Sequence, residues 1–170
     1  MLTVDDLVSK SKSELDELFR DGETPDEDAV EGVTRGRVLA GRGPLRLGAA
    51  RDVINNPLLP WKGKVFERGG GKNRIEVGPI KRQEFEFDTY TAPPLHDDGD
   101  DVLVLDYDLP ENPPGIRQVV DELREIDTGL YLGTSNITVG DETFMFYFGL
   151  EEAAGEVDVE LGAGEEIAIE

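Results

Sequence analysis

The chain has 170 residues, enough for one domain with a real core, and 38 acidic against 17 basic residues give a formal net charge of −21. There is no cysteine, which excludes disulfides, thiolate catalysis and cysteine-ligated zinc. No window approaches the roughly eighteen apolar residues of a spanning helix, and Met1-Leu2-Thr3-Val4-Asp5-Asp6 lacks the basic start and apolar stretch of a secretory signal, so a soluble, cytoplasmic protein is expected.

Thr3 is a helix N-cap residue, with Asp5 and Asp6 in the favourable first turn. Leu7, Leu15, Leu18 and Phe19 supply an apolar stripe, broken near Ser11 and ending at Asp21-Gly22. Residues 30–39 read as a strand and 41–60, rich in Gly, Pro and Asn, as a long irregular connection. Residues 61–67 and 73–77 form a predicted hairpin turning at Gly69-Gly70-Gly71. From Arg82 to Tyr90 the chain alternates, Phe85 and Phe87 against Glu84, Glu86 and Asp88, as a half-buried antiparallel strand does. Residues 101–107 read as a more deeply buried strand. After Pro113-Pro114, the spacing of Ile116, Val119, Val120, Leu123 and Ile126 predicts a helix. Residues 130–138 and 143–150 form a second hairpin across Val139-Gly140-Asp141-Glu142. The acidic residues 152–170 read as an edge strand near Val157 or a tail. The whole is one domain: a helical segment over 1–29, a barrel or strongly bent sheet of seven or eight strands over 30–151, and the acidic end.

Charge is unevenly spread. Between Glu31 and Arg82 lie twelve basic residues and four acids, a net +8 between two acidic flanks. This pattern suits opposite-sign surfaces meeting within one fold, or a basic patch for an anionic ligand. Eleven arginines against six lysines in so acidic a chain resemble the proteins of halophilic archaea, whose surface repulsion is screened by concentrated salt.

Several short stretches suggest chemistry and fall short of it. Arg68-Gly69-Gly70-Gly71-Lys72 lacks the G-x-x-x-x-G-K-[ST] spacing of a phosphate loop and joins two strands, so it reads as a turn. His96, the sole histidine, sits among aspartates without metal-loop spacing or a nucleophile motif, as in a solvated loop. Asp106 shares strand parity with Val102 and Val104, which points it inward, with Arg35, Arg37 or Arg74 as ion-pair partner. The arginines lack the aromatic, zinc-finger or helix-turn-helix context of nucleic-acid binding. No cofactor and no metal site is expected.

Gly32-Val33-Thr34-Arg35-Gly36 is a G-x-W-x-G element with Thr34 in the tryptophan position, and Trp61-Lys62-Gly63-Lys64-Val65-Phe66 is a following W-x-G-K-x-F element. With Val104–Asp108, Val120–Gly133 and Tyr147–Glu151, they cover about residues 30–151. Together they resemble an uncharacterised family named for its G-x-W-x-G signature, in a halophile-type member. The resemblance implies a lipocalin-like (calycin-type) small barrel and no particular activity.

The sequence therefore points to a mainly β, antiparallel lipocalin-like barrel or half-barrel with an N-terminal helix and a helix near 116–126. Such a barrel would bind a small, partly apolar and in part anionic ligand, with Arg35, Trp61, Arg74, Asp106, Tyr107 and Tyr131 as its site. One alternative is an enzyme of cyclase, isomerase or hydrolase type with Asp106 as base. Another is an interaction module whose basic segment 31–82 docks an acidic partner or a second copy of the chain as a homodimer.

Overall fold

The computed structural model describes residues 1–28, 30–42 and 61–153. Eight antiparallel strands follow one another around a closed barrel: β1 (Gly32–Arg42), β2 (Trp61–Glu67), β3 (Gly70–Val77), β4 (Ile80–Ala92), β5 (Val102–Asp106), β6 (Val119–Asp127), β7 (Leu130–Val139) and β8 (Glu142–Glu152), with β8 pairing back onto β1. Every strand neighbours its successor, the up-and-down arrangement that removes free sheet edges. Among the described residues no helix is long and apolar enough to cross a membrane.

Two short helices precede the barrel, α1 (Val4–Leu7) and α2 (Lys12–Asp21). The break expected near Ser11 is there because each helix starts with its own capping box, Thr3 with Asp6 and Ser11 with Glu14. The helices lie on the outside of the barrel, where Val4, Leu7, Leu15 and Phe19 cover Val102, Val104, Leu130, Leu132, Met145 and Tyr147. A second core fills the lower part of the barrel interior with Val30, Phe66, Phe87, Leu103, Leu105, Leu123, Tyr131, Phe148 and Leu150.

This double coverage corrects two expectations. The predicted helix at 116–126 is a 3-10 turn at Ile116–Gln118 followed by strand β6. Val119, Asp121 and Leu123 face the interior while Val120, Glu122, Arg124 and Ile126 face outward, and both faces are covered. A strand covered on both sides loses the alternation that marks a half-exposed one, and its apolar residues fall at helical spacing by coincidence. Asp106 does share parity with Val102 and Val104, but theirs is the outward face. The acidic edge strand considered near Val157 lies outside the described residues, as do positions 43–60 of the β1–β2 connection.

Arg124 ties the outer layer to the barrel. Its guanidinium, wholly buried, donates to Phe19 O (2.9 Å), to both oxygens of Asp97 (3.0 and 3.1 Å) and to Asp100 O, and it stacks 4.7 Å from the Phe19 ring centroid. It thereby fixes the end of α2 and the β4–β5 loop with one fork of donors. On the opposite side the basic window meets the acidic flanks. Arg35 pairs with Glu151 (2.7 Å), Arg37 with Asp5 (2.9 Å) and Arg68 with Asp28 (3.6 Å). These arginines realise the first of the two readings of the charge pattern, opposite signs meeting within one fold.

Candidate functional site

The β1–β2 seam shapes the site. The two strands pair at Gly32↔Phe66 and Val33↔Val65, and β2 carries a register shift between Trp61 and Gly63 against β3. Above the paired positions Arg74, buried in the wall, donates to the carbonyls of Thr34 (2.7 Å) and Lys62 (3.3 Å), taking the place of missing ladder bonds. Gly63 has φ +136°, and a Cβ there would lie 2.3 Å from Thr34 O. Gly36 has no room for a Cβ either, which would meet the Trp61 indole at 2.5 Å. The two glycines let the indole lie against β1. Thr34, in the tryptophan position of the signature, exchanges hydrogen bonds with the Lys64 backbone: its hydroxyl donates to Lys64 O (2.8 Å) and accepts from Lys64 N (3.0 Å).

The shift in β2 matters most for Lys64. It turns this side chain into the barrel, where it is 3% exposed. Its ammonium donates to Asn73 Oδ1 (2.8 Å) and Tyr107 OH (2.5 Å) and pairs with Asp121 Oδ2 (3.0 Å). Tyr107 OH donates in turn to Asp121 Oδ2 (3.1 Å) and accepts from Asn73 Nδ2 (3.0 Å). Trp61 Nε1 donates to Asn73 Oδ1 (2.9 Å). The rings of Trp61, Phe87, Tyr107 and Phe148 surround the ammonium, with centroids 5.2–5.6 Å away. Burial pushes the Lys64 ammonium below its ordinary range, opposed by the Asp121 carboxylate. Burial, reinforced by that carboxylate, holds the Tyr107 phenol well above its usual range.

Above this polar floor the barrel is hollow. A cavity of about 220 Å³ is lined by the floor residues with Val38, Ile75, Phe85, Ile116, Val119, Ser135, Ile137, Phe146 and Phe148. Its opening is at the barrel end where β1 finishes and β6 begins, the 3-10 turn contributing Ile116. Phe85 is the one described non-glycine residue with positive φ, +63°. It sits where the β3–β4 register slips between Gly71 and Asn73. The bulge presents its ring to the cavity and its carbonyl to Asn73 Nδ2 (3.1 Å).

Of the six residues expected at the site, Trp61 and Tyr107 line the cavity. Tyr131 is inside the barrel but below it, in the packed lower core, its hydroxyl 3.4 Å from Glu152 Oε2. The other three are on the wall or outside it. Arg35 is on the outer face with Glu151 and Asp5, and Arg74 is spent on backbone carbonyls. Asp106 is half-buried outside, accepting from Tyr90 OH (3.4 Å) and Asp108 N (2.9 Å), with none of the expected arginines bound to it. Asp106 therefore cannot serve as a base in this cavity. Lys64, Asn73 and Asp121 were missed. Lys64 hid behind the β2 register shift, Asp121 behind the helical spacing, and Asn73 carried no signal beyond being polar in mid-strand.

His96 is in the outer loop, its Nε2 2.5 Å from Asn136 Oδ1, at a small polar hollow of about 90 Å³ beneath α2. Among the described residues no cluster of three or more His, Asp or Glu is arranged to hold a metal ion.

No family model and no curated protein matches the chain. Among solved structures, a protein from Thermomonospora curvata matches it with a TM-score of 0.56, covering 85% of this chain and 89% of its own at 14% identity. At that identity the likeness speaks to fold alone. It agrees with a lipocalin-like closed barrel.

Proposed function

We propose that the protein binds a small, predominantly apolar ligand in the upper half of the barrel. The observation that carries this reading is the cavity of about 220 Å³, walled by aliphatic and aromatic side chains over a single polar cluster. Eight strands leave an interior that side chains can fill or that can hold one small ligand, and here the lower half does the first while the upper half stays open. An apolar cavity of about 150 Å³ accommodates benzene, so this one suits a bicyclic ring or a branched chain of similar bulk. The anionic part of the expectation draws less support, because the one cationic side chain lining the cavity already faces a carboxylate at 3.0 Å. The enzyme alternative loses its base with Asp106 outside.

Trp61 is the only tryptophan and lines the cavity, so its emission should report occupancy. Titration with indane should shift that emission saturably. Ser135→Leu, which places a larger apolar side chain in the same space, should remove the response. An unchanged spectrum up to the solubility limit of indane counts against the proposal.

A further inference from the structure

Asp121 carries an anomaly. Its Oδ2 accepts from both Lys64 and Tyr107, while Oδ1, equally buried, has no hydrogen-bond partner among the described residues. A carboxylate oxygen stripped of water and left without a donor is costly, and buried polar atoms in folded proteins nearly always have a partner. Asp121 is one of the cavity-lining residues, its side chain 4% exposed. Its direct cross-strand neighbour is Ser135, which lines the same cavity.

Resting on the binding function proposed above, we infer that the ligand is a neutral molecule with an apolar ring or chain and one hydrogen-bond donor, an alcohol, phenol or N–H group, and that Asp121 Oδ1 receives that donor. The chemistry of the floor supports this in two ways. Lys64 has its three donors met by Asn73, Tyr107 and Asp121, so it has none left for an anionic head group. A carboxylate placed beside Asp121 would also be repelled, whereas a hydroxyl or N–H group would complete the oxygen's hydrogen bonding without adding charge. The rest of the lining is apolar apart from Ser135 and the floor, so one donor on an otherwise hydrocarbon frame matches the wall.

The test is calorimetric titration of the wild-type protein with four compounds of nearly equal bulk: indane, indan-5-ol, 5-methoxyindane and indane-5-carboxylate. The expected order places indan-5-ol about tenfold or more tighter than indane and 5-methoxyindane, as a hydrogen bond to a charged acceptor warrants, with the carboxylate weakest. In Asp121→Asn the advantage of the alcohol over the methyl ether should fall to near unity. Because the wild-type series stands by itself, the inference remains open to refutation if that variant folds poorly. Equal binding of indane, its alcohol and its ether overturns the donor inference and leaves the apolar-cavity function intact. Tightest binding of the carboxylate overturns it in favour of an anion read by Lys64. Failure of all four to bind overturns both proposals.

Discussion

The Lys64–Asp121 pair offers the sharpest test of the barrel floor. Its atoms are 3.0 Å apart, with side chains 3% and 4% exposed. At an effective dielectric of about 20, two unit charges at that distance attract by about 5 kcal/mol, much of it offset by the desolvation of both ions. Removing either partner leaves the other buried and alone. Lys64→Met and Asp121→Leu should therefore each cost about 3–5 kcal/mol in urea unfolding. The double variant replaces both ions with apolar side chains and should cost at least about 2 kcal/mol less than the two singles together. The sign with pH follows from Lys64. Burial lowers its folded pKa below the ordinary 10.5, and Asp121 opposes that shift. A lysine with a depressed folded pKa contributes stability that is complete above 10.5 and lost as pH falls through the folded value. With Asp121 gone the depression deepens, so Asp121→Leu should recover stability relative to wild type as pH rises toward 10.5. Singles that add within about 0.5 kcal/mol, with no pH dependence, would refute a coupled buried pair.

Other expected outcomes follow from single contacts. Glu122 is buried on the outer face of β6 with Oε1 unpartnered, and burial raises its pKa above the ordinary 4.5. Its stability contribution is full below 4.5 and lost as pH rises through the folded value, so Glu122→Gln should match wild type in acid and exceed it by about 1 kcal/mol near neutrality in thermal melts. Gly63→Ala sets a Cβ 2.3 Å from Thr34 O at a positive φ, and should lower the urea midpoint by the equivalent of about 2 kcal/mol or more. Arg124→Met leaves Asp97 without its bidentate partner and frees the end of α2, which amide exchange should show as faster opening of α2 and the β4–β5 loop, with the β2–β3 hairpin unchanged.

The sequence declared the barrel more readily than the site, for a physical reason. Strands that are exposed on one side, such as the Phe85–Phe87 stretch, or punctuated by glycine turns, such as β2–β3, carry period-two or turn signals that need no partner to read. Segment 119–127 is clothed on both faces, and Asp106 shares the outward parity of residues that α1 and α2 cover, so neither announces its direction. Polar residues at the floor depend on irregularities: the Lys62–Gly63 shift that turns Lys64 inward, and the bulge at Phe85 that gives Asn73 a carbonyl. Such slips change which face a side chain serves, and a regular alternation cannot foresee them. The G-x-W-x-G-like element nonetheless marked the right place, since Gly36 and Thr34 are what seat Trp61 and the Lys64 backbone.

The most direct test of the central claim is crystallographic. Crystals soaked in bromobenzene should show an anomalous bromine peak inside the barrel, between Phe85, Val119, Ile137 and Phe146 and above the Lys64 ammonium. A barrel whose upper half is closed by its own side chains, with bromine bound only at the outer surface, would contradict it.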